Sequence, residues 1–472
     1  MEQDSSKSFK RKFSNAFWVA NGVELLERLA YYAVFIVITL YLSNVWGFTD
    51  IEAGAISGIF SASLYLLPLF AGAYADKIGF RSAIILAFSL LTLGYAGLGI
   101  LPTMLESAGL VQYEMTTTFY GLKESYLRWS ILPVMALIVI GGSFIKSVIS
   151  GTVARETTSE NRARGYAIFY MMVNIGAFTG KTVVDPLRRS MGDQGLVYLN
   201  YFSASMTFLA LIAVVLFYKS VKTEGQGKSF REIGQGLIRV LTNWKLLILI
   251  LIISGFWLIQ SQMYATMPKY VIRLIGEEAS PGWYANVNPF VVFILVNFVT
   301  SLMKKRKAIS SMMIGMLIIP LSALVMSLGN QIDTPSIMGM HPVAFMMIVG
   351  IAMQAVAECF ISPRFLEYFS LQSPKGEEGL YLGFSHLHSF VSYLLAFLMG
   401  GYLLDRYLPD PRKFADAQGI IDQTAYAAAS ANAHYIWYVF VGVGFISAIA
   451  LFIYGRVTNQ GAEMKTEAEK AE

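Results

Sequence analysis

The 472 residues contain one cysteine, Cys359, which excludes an internal disulfide and any cysteine-based metal site. Four histidines, none at metal-ligand spacing, point to no other metal centre. Charge is scarce as well: Asp, Glu, Lys and Arg supply 14% of the chain, where a soluble domain carries roughly 25%. So few charges cannot clothe a water-soluble globule of this length. The first 15 residues, MEQDSSKSFKRKFSN, hold no apolar core followed by a small-residue cleavage site, so we expect no removable signal peptide.

What the chain has in abundance is apolar sequence, at 55% hydrophobic residues and a mean hydropathy of +0.54. Many of its apolar runs reach the ~20 residues that a helix needs to cross a ~30 Å hydrocarbon core. Spans are expected near 16–45, 52–75, 82–102, 131–154, 163–185 and 197–218, then near 244–272, 283–303, 308–328, 342–371, 378–404 and 431–456. The expected fold class is therefore an all-α membrane protein of about 12 transmembrane helices in two six-helix bundles, 16–218 and 244–456. Residues 219–243 join them as a linker in which SFREIGQGLIRVL reads as a short amphipathic surface helix. Residues 1–15 and 457–472 form the tails.

About two thirds of the 36 Lys and Arg residues fall in one alternating set of connections, which also holds both termini. The positive-inside rule makes that set cytoplasmic and the protein a multi-pass plasma (inner) membrane protein. The net charge of +5 thus belongs to topology, not to nucleic acid. Arg28, Lys146 and Arg364 stand apart at membrane depth.

Two constellations carry chemistry. Glu24, Glu27, Arg28, Tyr31 and Tyr32 recur at i, i+3, i+4, i+7 and i+8 and so share one face of the first span. An ionisable group inside a bilayer costs at least ~2.5 kcal/mol, so three together must face a cavity or one another. Arg28 offsets one carboxylate at a time, which leaves the other free to gain and lose protons. Between the second and third spans, Gly72-Ala-Tyr-Ala-Asp76-Lys-Ile-Gly79-Phe-Arg81 sets glycines for a tight turn beside charges that pair or cap helix ends, the parts of a gate. Gly176-Ala-Phe-Thr-Gly180-Lys181-Thr182 is one residue too short for a phosphate loop and lies in an apolar run, which excludes an ATP-driven pump.

Glu24-x-x-Glu27-Arg28 with Tyr31 and Tyr32 resembles the E-x-x-E-R signature of the proton-dependent oligopeptide transporters of the major facilitator superfamily. Further landmarks are similar to that family's: Tyr65-Leu-Leu-Pro68, Gly142-Ser-Phe144-Ile-Lys146 with Ser150, Phe169-Tyr170 with Asn174 and Gly176, Phe256-Trp257 with Gln262, Asn288-Pro289, and Glu358 through Ser362, Pro363, Leu366 and Glu367, with Pro374. The gate loop matches the superfamily's G-x-x-x-D-x-x-G-x-R.

The resemblance implies a major facilitator fold, proton coupling through Glu24, Glu27, Arg28 and Lys146, and gating by Gly72, Asp76, Gly79 and Arg81. It implies that Tyr31, Tyr32, Tyr65, Lys146, Asn174, Trp257, Asn288 and Glu358 line the substrate site, with Glu358 taking the peptide amino group. The family's usual second arginine, one turn beyond the tyrosines, is here Phe35; its usual acidic residue after the span-seven tryptophan is Ser261. The expected function is a monomeric, non-enzymatic symporter without cofactor that imports di- and tripeptides with protons. The alternatives are proton-coupled carriage of nitrate or another small anion or zwitterion, and a non-peptide major facilitator carrier.

Overall fold

Helices that are apolar on every side need lipid or one another for cover, and short polar turns between them force neighbouring spans to run antiparallel. The computed structural model describes residues 13–110, 122, 125–158, 161–219, 229–372, 383–416 and 418–471. Most of the expected N-terminal tail, linker residues 220–228 and Pro374 lie outside them.

The helices run α1 (Asn15–Phe35), α2 (Ile38–Asn44), α3 (Asp50–Leu66), α4 (Pro68–Ile78), α5 (Phe80–Ser107), α6 (Ile131–Arg155) and α7 (Arg162–Phe217). After them come α8 (Phe230–Thr242), α9 (Trp244–Gln260), α10 (Gln262–Ala265), α11 (Met267–Ile275), α12 (Pro281–Ala285), α13 (Val287–Met303), α14 (Ala308–Leu328), α15 (Pro342–Leu371), α16 (Leu387–Tyr407), α17 (Gln423–Ser430) and α18 (Tyr435–Ala471). Nine helical stretches among the described residues are long and apolar enough to cross a membrane, and two bent pairs, α1 with α2 at 47° and α3 with α4 at 49°, complete two more spans.

Sequence reading expects two spans where the structure has α7, and the difference is local. The helix carries straight on through Pro186 and bends at Gly192, whose φ of 55° and ψ of −135° suit a residue without Cβ. At 56 residues α7 is about twice as long as one crossing requires, so the bend divides it into two legs. Crossings so divided are consistent with the twelve expected. The amphipathic helix is α8, opened by a capping box in which Ser229 accepts from the Glu232 amide while Glu232 accepts from that of Ser229.

Helices α1 and α3 to α7 pack mainly among themselves, as do α9 and α13 to α16 with α18; α3 meets α16 and α7 meets α12 across the divide. At the α3–α16 crossing, a Cβ on Gly54 would come within 2.5 Å of the Phe397 carbonyl oxygen, so backbone lies directly on backbone.

The end of the molecule away from Asn15 is tied across this divide. Asp50 accepts from Lys269 Nζ at 2.6 Å and pairs with Arg273 at 2.8 Å, Arg188 pairs with Glu277, and Arg412 donates to Asn44 Oδ1 at 3.0 Å. On the opposite side Asp76 pairs with Arg155 at 2.9 Å and Arg364 with Glu367 at 2.6 Å, both within one set of helices. The i, i+3 spacing of Arg364 and Glu367 anticipates their pairing. Among the described residues the ion pairs that bridge the two sets thus gather at one end, and the molecule is closed there.

Gly54→Val should lower stability by on the order of 1–3 kcal/mol, because its side chain has only backbone to displace. Gly22→Ala, whose Cβ meets nothing within 4 Å, should be neutral or slightly stabilising. Thermal unfolding of the two purified variants in one detergent checks the contrast.

Candidate functional site

The charged face of α1 folds inward as its spacing predicts. Glu24 and Glu27 are 3% and 2% exposed, and Arg28 is 8% exposed. Arg28 Nε lies 3.2 Å from Glu24 Oε1 and donates to Glu27 Oε2 at 2.5 Å. Glu24 Oε2, in contrast, is buried without a hydrogen-bond partner. The guanidinium also lies 5.4 Å from the Tyr31 ring centre. One cation therefore serves two carboxylates, unequally.

Lys146 reaches this cluster because of a proline two helices away. Pro68 carries no amide hydrogen, so the Leu64 carbonyl at i−4 loses its helical partner where α3 bends into α4. Lys146 Nζ lies 3.5 Å from that oxygen and 3.6 Å from the Tyr65 ring centre. Tyr65 in turn stacks on Tyr393 of α16 at 5.1 Å. Glu27, Arg28, Tyr31, Tyr32, Tyr65 and Lys146 meet around a cavity of about 20 Å³. That volume holds about one water, not a peptide.

The second constellation is on the other set of helices. Glu358 of α15 accepts from Gln260 Nε2 at 2.5 Å and from Asn288 Nδ2 at 3.1 Å. Both donors are neutral amides, which leave its charge uncompensated by contact. Gln260 Oε1 and the neighbouring Trp257 Nε1 are buried without partners, and Trp257 stacks on His388 at 5.4 Å.

Not every expected residue joins these groups. Asn174 donates to the Tyr170 carbonyl of its own helix at 2.8 Å. Gln262 is wholly buried and bonds the Leu258 and Ala396 carbonyls, a packing role. Phe35 is 1% exposed, stacks on Tyr31 at 4.8 Å and packs against Tyr264 and Tyr393. In the gate loop Gly79 has a φ of 84°, a Cβ on Gly72 would lie 3.2 Å from Ser147, and Arg81 caps α7 by donating to the Val215 carbonyl at 2.9 Å. Asp76 and Arg81 thus bind neighbouring helices, not each other.

Sequence reasoning missed Gln260 and Tyr393. Gln260 lies three residues after Trp257 and so on its face of α9, a spacing that could have found it; Tyr393 is matched to Tyr65 only by tertiary packing. It also gave Lys181 no role beyond a rejected phosphate loop, whereas Lys181 lies inside α7 at 2% exposure.

Such a helix count, with buried charges on two facing sets of helices, defines a multi-pass membrane protein. A family model described as the Major Facilitator Superfamily matches residues 22–339, and the chain belongs to that superfamily. Within it the chain is similar to the dipeptide and tripeptide permease A of Erwinia pyrifoliae, with 25% identity over 269 residues, or 56% of this chain and 48% of that protein. The chain spans about half the length of this curated relative. It is also similar to the multidrug resistance protein MdtH of Photorhabdus laumondii, at 21% identity over 382 residues, 81% of this chain and 84% of that one. The crystal structure of PepTSo, a POT family transporter, superposes with a TM-score of 0.68 at 16% identity over 95% of this chain and 99% of that one, which shows the shared fold. These findings bear out the resemblance to the oligopeptide transporters.

Arg28→Met should destabilise the protein by about 3–5 kcal/mol, because it strands two buried carboxylates. Adding Glu24→Gln and Glu27→Gln to that variant should recover most of the loss in thermal unfolding. A mild effect in the single variant would mean that the carboxylates are already neutral.

Proposed function

We propose that the protein is a proton-coupled symporter that imports di- and tripeptides by alternating access, working as a monomer in the plasma membrane with both termini cytoplasmic. The observation that carries this reading is the separation of two unlike charge centres. A carboxylate pair shares one arginine on one set of helices, where Glu27 and Arg28 line a water-sized cavity, and a lone carboxylate held by neutral amides waits on the other. The first suits a proton, the second an ammonium group.

In this reading residues 16–218 and 244–456 are the two bundles, 219–243 is their linker, and 1–15 and 457–472 are cytoplasmic tails. The tied end is extracellular, so the described state faces the cytoplasm. Glu24, Glu27, Arg28 and Lys146 exchange protons, with Lys146 also offering a cation to the substrate. Tyr31, Tyr32, Tyr65, Asn174, Trp257 and Asn288 line the path, and Glu358 receives the amino terminus. Gly72, Asp76, Gly79 and Arg81 hold the cytoplasmic ends of α4, α6 and α7 in register as the bundles rock. A carrier for nitrate would have no use for a carboxylate with only neutral donors at its centre. A carrier for uncharged drugs would not need either centre.

Glu358→Gln should weaken binding of dipeptides with a free amine by roughly 1.5–3 kcal/mol, while N-acetylated dipeptides lose much less. Competition against a labelled dipeptide in proteoliposomes reads the difference, and equal losses would remove Glu358 from the amino pocket. Glu27→Gln should abolish accumulation driven by an imposed pH gradient while dipeptide exchange continues. Uptake of nitrate alone by the parent protein would overturn the peptide reading.

A further inference from the structure

Lys181 has no assigned role, yet its surroundings are unlike those of an ordinary structural lysine. It is 2% exposed, and the hydrogen bond its ammonium makes, at 3.2 Å, runs to the backbone carbonyl of Ala285 on α12. Among the described residues no carboxylate lies within ion-pair distance of it. A buried ammonium held by one neutral acceptor is under-served, since it carries three donors and a full charge.

Its position follows from two glycines. A Cβ on Gly176 would come within 2.6 Å of the Leu25 carbonyl oxygen and 2.8 Å of Arg28 Cβ, and one on Gly180 would strike the Leu29 carbonyl. Their absence of side chains lets α7 lie backbone to backbone on α1. That approach sets Lys181 Nζ 5.6 Å from the ring centre of Tyr32. The Tyr32 ring lies 6.3 Å from that of Tyr264 on the other set of helices, so Lys181 borders the divide on whose far side Glu358 stands on α15. Lys146, by contrast, is drawn to the Leu64 carbonyl within the first-helix cluster.

The bond that holds Lys181 crosses the same divide as the ion pairs of the tied end. Beside it Asn286 Nδ2 donates to Thr182 Oγ1 at 2.9 Å, and the Trp283 amide donates to Asp185 Oδ2 at 3.1 Å. Parting α7 from α12 at this end would take the Ala285 carbonyl away from Lys181.

Resting on the peptide reading above, we propose that Lys181 binds the substrate carboxylate, and that it is released for this by opening of the α7–α12 contact. With the contact closed the ammonium is parked on the Ala285 carbonyl; with it open, a zwitterion spans from Glu358 to Lys181. The missing clamp at Phe35 is thereby supplied from α7. The site admits its carboxylate contact only from the side on which that contact opens.

The test uses the full chain in proteoliposomes, with dialanine, dialanine amide and N-acetyl-dialanine as competitors against a labelled dipeptide. The parent should prefer dialanine over its amide, and Lys181→Gln should reduce that preference by roughly tenfold, the ratio worth ~1.4 kcal/mol. Lys181→Arg should keep most of it, and the penalty for N-acetylation should be the same in Lys181→Gln as in the parent, which reports an intact amino pocket. A preference that is undiminished in Lys181→Gln overturns the proposal, as does an equal loss of all three ligands, which would make Lys181 structural. A parent that binds none of the three overturns the peptide reading itself.

Discussion

A charge within a bilayer has no water to answer it, so each one must be met by another part of the protein. That constraint sets the positions of nearly everything described above. Two carboxylates on α1 draw one arginine between them, a lysine on α6 follows the carbonyl that a proline frees, and an aspartate at the start of α3 gathers a lysine and an arginine from the facing helix α11. The arrangement is economical in partners, and the shortage is informative. Where the pairing is complete, as at Asp50, the contact holds two sets of helices together. Where it is incomplete, as at Glu24, Glu358 and Lys181, stand the residues proposed above to take a proton or a substrate.

The first-helix cluster was legible because its members lie three to eight residues apart on one helix, so local geometry decides their meeting. Arg364 and Glu367 were legible for the same reason. The spans were legible from apolar runs, apart from the join within α7, where helical backbone angles continue past Pro186 and depart only at Gly192. The stack of Tyr65 on Tyr393 and the bond from Gln260 to Glu358 could not be read, because they depend on which helices become neighbours, and hydropathy is silent about that.

The Y-x-x-P landmark illustrates how a pattern becomes a mechanism only with coordinates. In sequence it marks a likeness; in space its proline supplies an acceptor and its tyrosine a ring face, and both are offered to the same ammonium. Substrate identity was harder to reach, because it rests on groups from both sets of helices and on the state in which they are brought together.

The crossing of α3 and α16 carries a further consequence. Gly54 and Gly401 bring main chain to main chain, with no interlocking knobs between the helices at that point. Two smooth cylinders can roll without rotamers having to clear one another, so the joint behaves as a low-friction bearing. Resistance to the swing then comes from the ionic contacts at its rim and from the rings of Phe35 and Tyr65 that pack across the divide. Conditions that weaken those ionic contacts should quicken the motion, and so should trimming the rings that bridge the divide, whereas packing within either set of helices should matter less.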